Sequence, residues 1–175
     1  MIPPGLALVY YTANNLKCNI IEFMREIVTV LLLAALPISE LRGAIPVAMG
    51  VYGFDPISSY LLGVVGNLLP VPILLKLLGP ATELLRRSAM LNRVVSWLLA
   101  RTRARHSVLI ARFGAVALVL FVAIPLPATG AWTGALIAHV FGIPFRYAFP
   151  LIALGVSLAG VLVTLATLGV IRLFF

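Results

Sequence analysis

Two long runs of uncharged, largely apolar residues restrict the fold of this chain more than any other feature. They cover residues 56–75 and residues 147–171. A helix needs about 20 such residues to cross the hydrocarbon core of a bilayer. The chain as a whole is 62% hydrophobic and 10% charged, with a mean hydropathy of +1.14, which ordinary soluble domains do not show. The sequence therefore predicts an all-α integral membrane protein.

Other apolar stretches have the wrong length for a crossing helix. Residues 27–39 and 43–54 are each well short of a span, and they flank the charged pair at residues 40 and 42. Residues 113–145 are too long for one span and too short for two, and Pro125, Pro127 and Gly130 break their middle. Irregular backbone within a membrane occurs where protein or a watery cavity surrounds it. Each region therefore predicts a re-entrant helical hairpin.

The two predicted hairpins resemble each other at an offset of 88 to 89 residues. Pro37 aligns with Pro125, and Gly53 aligns with Gly142 after one gap. Each hairpin precedes one long run, so each half crosses the membrane an odd number of times and the second half is upside down. This inversion would not follow if each hairpin were a single broken span. We expect one domain over residues 24–175, with repeats at 24–80 and 113–175 and a linker at 81–112.

The N-terminal residues 1–23 are less apolar than the segment that follows them. They lack the basic leader and small-residue cleavage site of a signal peptide. Met1 and Met24 are both candidate first residues. We therefore treat residues 1–23 as an extension that precedes the membrane domain.

A strongly basic segment separates the two repeats. Residues 84–112 contain no acid and seven of the thirteen basic residues: Arg86, Arg87, Arg93, Arg101, Arg103, Arg105 and Arg112. By the positive-inside rule this loop is cytoplasmic. Its apolar residues recur at helical spacing, which favours an amphipathic helix on anionic lipid: Leu84, Leu91, Val94, Val95 and Leu98, with Trp97 at the edge. Because membrane segments flank the loop, nucleic acid is not an expected partner.

Glu40 and Arg42 are the charges at the first hairpin tip. An ionised side chain within the bilayer costs roughly 2.5–3.5 kcal/mol on insertion scales, so such residues usually serve a function. The alternative is an ion pair that only holds the hairpin together. Ser39 is predicted to cap the second half-helix, which would place Glu40 in the positive field of its N-terminus.

The second tip carries no charge but offers small residues, hydroxyls and backbone amides. These groups can meet an anionic group or pack tightly against another helix. Asn67 lies in the middle of the first long run and can line a pathway or hold two helices together. The predicted site comprises Glu40, Arg42, Ser39, Asn67, Thr129, Gly130 and Thr133. The sequence contains no Cys/His cluster, catalytic triad or phosphate loop, so we expect no enzyme, metal or cofactor.

The stretches LPISELRGAIPVAMGVYG and IPLPATGAWTGALIA resemble the paired signatures of the small multidrug export protein family. More distantly, they resemble the DedA (SNARE-associated, VTT-type) membrane proteins, and the similarity covers residues 24–170. The resemblance implies two re-entrant hairpins paired with transmembrane helices and a transport role in the cytoplasmic membrane. DedA proteins are associated with lipid-carrier transport and proton dependence, and their membrane-embedded acid carries over onto Glu40.

This chain departs from the DedA pattern at the second hairpin. Arginines usually surround a proline there, whereas this sequence has Ala123, Ile124, Leu126 and Ala128. The obvious phosphate-binding cations are therefore missing, and Arg42 is the remaining candidate for that role.

Three functional hypotheses follow. The first is a small secondary transporter, with a proton as candidate coupling ion at Glu40. The second is a DedA-like transporter or scramblase of polyprenyl phosphate or phospholipid. The third is a membrane scaffold recruited through the basic loop. Expected partners are membrane lipids, a small-molecule or lipid substrate, protons, and a second copy of the chain that helps to enclose a pathway.

Overall fold

A computed structural model describes residues 4–85, 116–125 and 129–174, with isolated positions between 87 and 114, and side chains from residue 20 onward. This described part contains helices and no strands, which confirms the all-helical prediction. The helices are α1 (Pro4–Ala35), α2 (Glu40–Gly50), α3 (Pro56–Leu68), α4 (Val71–Leu85), α5 (Val116–Ala123), α6 (Ala131–Val140) and α7 (Phe145–Phe174).

Two segments of the described chain are long and apolar enough to cross a membrane. One is Pro56–Leu85, formed by α3 and α4, and the other is Phe145–Leu173 in α7. Along α7, leucines that are 46–60% exposed recur at helical spacing: Leu154, Leu158, Leu162 and Leu165. An apolar stripe of this kind suits contact with lipid chains. The first span is longer than the predicted residues 56–75, because α4 continues to Leu85.

Helix α1 is also longer than predicted. The sequence predicted a short arm from residue 27, but the helix begins at Pro4 and runs through residue 24 without interruption. No glycine or proline occurs between Leu6 and Leu36, so nothing in this interval terminates a helix. The helix ends at Ala35, shortly before Pro37.

The junctions that lead into the two long spans share a geometry. Gly53 and Gly142 both have φ of +67°, a region that glycine enters without a steric penalty. The next residue then donates its backbone N–H to the preceding helix, from Phe54 to Ala48 and from Ile143 to Ala138. A left-handed residue followed by such a bond closes the end of a helix. Both short helices therefore stop at equivalent positions.

Asp55 starts the first span. Its carboxylate accepts hydrogen bonds of 3.0 Å from the backbone N–H groups of Ile57 and Ser58, so it caps α3. Hydrogen bonds from the hydroxyl and backbone of Ser58 hold the pKa of the exposed Asp55 below its usual value. A proline, Pro56, occupies the first turn, where its missing N–H costs nothing.

The helices pack as two similar groups that also reach into each other. In the first half, α1 and α2 pack together and against α3, and in the second half α5 and α6 pack together and against α7. Each long segment then contacts the other half, because α4 packs on α6 and α7 packs on α2. The Thr82 hydroxyl of α4 lies 3.3 Å from Nε2 of His139 on α6.

Two glycines make equivalent close contacts between the arms and the spans. A methyl group added at Gly66 would lie 2.7 Å from Cβ of Ala34 and 2.8 Å from the Leu31 carbonyl oxygen. One added at Gly155 would lie 2.7 Å from Cβ of Val122 and 3.0 Å from the Val119 carbonyl oxygen. The residues of the second contact follow those of the first by 88 or 89 positions, the offset that the sequence predicted.

A second pair of contacts repeats with the large and small residues exchanged. Ile45 of α2 lies against Gly63 of α3, where an added methyl group would be 2.8 Å from its Cγ1. At the positions 89 residues later, Ile152 of α7 lies against Gly134 of α6 at a corresponding 3.5 Å. One isoleucine and one glycine therefore fill each of these two contacts.

Much of the basic linker lies outside the described residues, including Arg86, Arg103, Arg105, Arg112, Leu91, Val95 and Leu98. The described positions Arg87, Arg93, Val94, Trp97 and Arg101 are exposed. The Arg101 guanidinium lies 5.2 Å from the centre of the Trp97 ring, which suits a cation–π contact. The amphipathic helix stays a prediction.

Candidate functional site

The site lies where the two hairpin tips meet. We call residues 36–40 the first tip and the described residues 124, 125, 129 and 130 the second tip. Glu40 has φ of +46°, which is uncommon for a residue with a side chain. Glu40 is also buried, with 5% of its surface exposed. Its carboxylate lies against the backbone of Gly130, so closely that a side chain at Gly130 would overlap Oε2 and come within 2.6 Å of Cδ.

Trp132 joins the tips by two hydrogen bonds. Its backbone N–H donates to the Glu40 carboxylate, and its indole Nε1–H donates to the Ala35 carbonyl oxygen at 3.0 Å. The N-cap residue of α6 is Gly130, which has no side chain that could cap the helix. Glu40 therefore caps α6 from another helix, and the positive end of α6 favours its negative charge.

Arg42 provides the positive charge of the site. One of its guanidinium nitrogens lies 3.7 Å from Oε2 of Glu40, and its side chain is 28% exposed. The two charges predicted at the first tip therefore face each other. Glu40 is the buried member of the pair, and Arg42 extends to the edge of the bundle.

A cavity of about 10 Å³ lies between the tips and the two spans, which is about the space one water molecule needs. Glu40 and Gly130 line it from the tips, while Asn67 of α3 and Val156 of α7 line it from the spans. Asn67 is 1% exposed. Its Oδ1 is the one buried side-chain nitrogen or oxygen atom of the described residues that has no hydrogen-bond partner.

The structure brings five of the seven predicted site residues to this cavity: Glu40, Arg42, Asn67, Thr129 and Gly130. Thr129 also donates its hydroxyl to the Ile124 carbonyl oxygen at 2.6 Å, across the break in the second tip. Thr133 is half-buried on α6 and is not among the residues that line the cavity.

The predicted capping role of Ser39 is wrong. Ser39 precedes α2, but its hydroxyl makes no hydrogen bond to that helix and donates to the Leu33 carbonyl oxygen of α1. A capping residue usually has extended backbone angles, whereas Ser39 has φ −84° and ψ −48°. These helical angles direct the hydroxyl back to the preceding helix.

Sequence reasoning missed Trp132 and Val156. The signal for Trp132 was its place just after the break IPLPATG, where backbone amides at a helix start lack partners. Its indole contact with Ala35 depends on how the two hairpins pack, and no local pattern shows that. Val156 looks like any apolar residue of a span, and only the cavity distinguishes it.

We expect Trp132→Phe to lower the melting temperature in detergent by a few degrees. The change keeps the aromatic ring but removes the donor to the Ala35 carbonyl oxygen, and a typical hydrogen bond contributes about 1 kcal/mol. Thermal unfolding of the purified protein measures this loss. The matched control is Trp97→Phe at the exposed tryptophan of the linker, which should melt as the original protein does. Equal melting of Trp132→Phe and the original protein would contradict the prediction.

The two long apolar segments, the exposed apolar stripe of α7 and the buried carboxylate of Glu40 define an all-helical membrane protein over the described residues. The model of the family described as "Putative small multi-drug export protein" matches residues 40–162, which include Glu40, the second tip and the first part of α7. The chain belongs to this small multi-drug export protein family, as its sequence motifs predicted. No curated protein and no solved structure matches the chain.

Proposed function

We propose that this chain is a small secondary transporter of the cytoplasmic membrane, with protons as coupling ions and its site between the two tips. The observation that carries the proposal is the position of Glu40. Its carboxylate is buried where two hairpins, two spans and a small cavity meet. A carboxyl group in this place can gain and lose a proton as its surroundings change, which is the basic requirement of proton coupling.

The contacts of Glu40 link its charge to the packing of the tips. In the ionised form it accepts the Trp132 N–H and pairs with Arg42. A protonated carboxyl group is a weaker acceptor and no longer attracts Arg42 by charge. Protonation therefore weakens the connection between the first tip and α6. It would favour the binding of a substrate that requires the two tips to be apart.

The repeated contacts support an inverted arrangement of two re-entrant hairpins. The Gly66 and Gly155 contacts and the exchanged Ile45 and Ile152 contacts occur at one offset along the chain. Each half pairs one hairpin with one long span, so each half crosses the bilayer once and the second half is inverted. The basic loop at 84–112 would then lie on the cytoplasmic side.

Lipid transport is the second candidate, and one groove favours it. An apolar groove of about 490 Å³ runs between α2 and α7, with Arg42 among its lining residues. Pro46 and Gly50 of α2 face Leu162 and Ala166 of α7 across it. A lipid tail fits such a surface, and Arg42 could contact an anionic head group.

The first test measures substrate-driven proton flux in proteoliposomes with a pH-sensitive dye inside. The original protein should move protons when a compound from a panel of amphiphilic cations and anions is added against an imposed pH gradient. Glu40→Gln should reduce this flux to the level of protein-free liposomes, because glutamine cannot carry the proton. The matched control is Glu83→Gln, the same change at an exposed carboxylate of α4.

A normal rate and an unchanged pH dependence in Glu40→Gln would overturn the coupling role of Glu40. The lipid alternative has its own readout, the movement of a fluorescent phospholipid or polyprenyl phosphate between leaflets without an ion gradient. Fast lipid movement in both the original protein and Glu40→Gln, without proton flux, would favour the second candidate over the first.

A further inference from the structure

The amide oxygen of Asn67 is a buried acceptor without a protein donor. Asn67 is a fully buried residue of α3 and lines the same cavity as Glu40. Burying a polar group without a hydrogen bond costs free energy, so native proteins usually supply a partner. The protein atoms around the cavity therefore leave one hydrogen-bond acceptor for a small ligand to satisfy.

The cavity has the size and polarity for one water molecule. Its volume of about 10 Å³ matches about one water-sized sphere, and a buried water needs two to four polar partners. Asn67 Oδ1 and the Glu40 carboxylate are both acceptors, and a water molecule has two protons to donate. The side chains from α7 that face this space, Val156 and Ala159, are apolar and do not compete for these bonds.

A metal cation fits the same space poorly. Among the described residues that line the cavity, Arg42 is the other charged one, and its guanidinium already lies 3.7 Å from Glu40. A second positive charge would be repelled by Arg42. One carboxylate and one amide oxygen also fall short of the oxygen ligands that hard cations collect.

We propose that the cavity binds one water molecule that donates to both Asn67 Oδ1 and the Glu40 carboxylate, which makes Asn67 a positioning residue for proton binding at Glu40. The inference rests on the proposed function where it concerns coupling, but the water site stands on the cavity and Asn67 alone. Asn67 anchors the water through one proton, so the other proton points at Glu40. This bond stabilises the ionised carboxylate together with Trp132 and Arg42.

The structure offers its own model for the loss of this water. Asn67 and Val156 are 89 residues apart and line the cavity from equivalent places on the two spans. Replacing Asn67 with valine makes the two sides alike and leaves the water with one polar partner. The carboxylate then loses a donor, and its proton is held more tightly.

The test is infrared difference spectroscopy of the full chain in lipid nanodiscs across a pH series. The band of the protonated Glu40 carboxyl group is assigned by its absence in Glu40→Gln. The midpoint of the titration is the pH at which half of this band is lost. We expect this midpoint to be about one pH unit higher in Asn67→Val than in the original protein. The original protein should also show an internal-water O–H band that shifts in ¹⁸O-labelled water, and Asn67→Val should lack it.

Asn92→Val is the matched control, since Asn92 is an exposed asparagine of the linker and its change should leave both bands unaltered. Asn67→Ser keeps a shorter acceptor and should give a smaller shift in the same direction, which preserves the test if Asn67→Val does not fold. Unshifted titrations in the Asn67 variants, or no internal-water band in the original protein, would overturn the inference. Absence of proton-coupled transport with both infrared results intact would overturn only the proposed function.

Discussion

Alanine in place of Gly130 is expected to separate the two tips, lower the stability of the protein by about 3 kcal/mol or more and abolish transport. Gly130 has φ of +133°, which residues with side chains rarely adopt, and such strain costs on the order of 1–3 kcal/mol. The new methyl group would also overlap the Glu40 carboxylate. Glu40 can avoid it only by moving away, and it then loses the bonds from Trp132 and Arg42.

A double-mutant cycle separates these two costs. In a Glu40→Ala background the overlap is gone, so Gly130→Ala should cost only the backbone strain. The difference between the two backgrounds measures the contact between the tips. Thermal unfolding in detergent supplies the free energies, and Gly79→Ala is the control because a methyl group there meets no atom within 4 Å. Equal costs of Gly130→Ala in both backgrounds would show that Glu40 and Gly130 are not in contact.

The sequence predicts the helical architecture well because its determinants are local. The length of an apolar run decides whether it can span a bilayer, and prolines and glycines decide where a helix stops. The long runs at 56–75 and 147–171 accordingly fall in the two helical segments that can cross a membrane. The break predicted at Pro125 and Gly130 likewise separates α5 from α6. The length of α1 was missed because residues 6–26 carry a weak apolar signal but no glycine or proline that would end a helix.

The candidate site is less predictable because its contacts join residues far apart in sequence. Glu40 and Asn67 could be selected as polar residues within apolar segments. Their placement at one cavity depends on how α2, α3 and α7 pack. The Ser39 prediction failed for a similar reason. Residue type favoured a helix cap, but the helical backbone angles of the turn direct the hydroxyl to Leu33.

Exchanging Ile45 and Gly63 tests whether the two halves use one packing scheme. Gly63→Ile alone should be strongly destabilising, because Ile45 is fully buried and already lies 2.8 Å from the new Cβ position. Overpacking of this kind costs about 1–3 kcal/mol. Ile45→Gly alone should cost about 2–5 kcal/mol through the cavity that it leaves, with about 1 kcal/mol more for glycine within a helix.

The double variant Ile45→Gly/Gly63→Ile places an isoleucine on the span and a glycine on the short helix. This is the arrangement that Ile152 and Gly134 already form in the second half. We therefore expect the double variant to be more stable than either single variant, with a coupling free energy of about 2–3 kcal/mol. Thermal unfolding in detergent measures all four proteins of the cycle.

The control cycle combines Ile45→Gly with Gly169→Ile, since a side chain at Gly169 of α7 meets no atom within 4 Å. Those two changes should add without coupling, because the new isoleucine cannot fill the space that Ile45 leaves. Additive losses in the Ile45/Gly63 cycle as well would mean that the two contacts share an offset along the chain but not a packing geometry. Structural equivalence of the two repeats would then be supported by the Gly66 and Gly155 contacts and not by this pair.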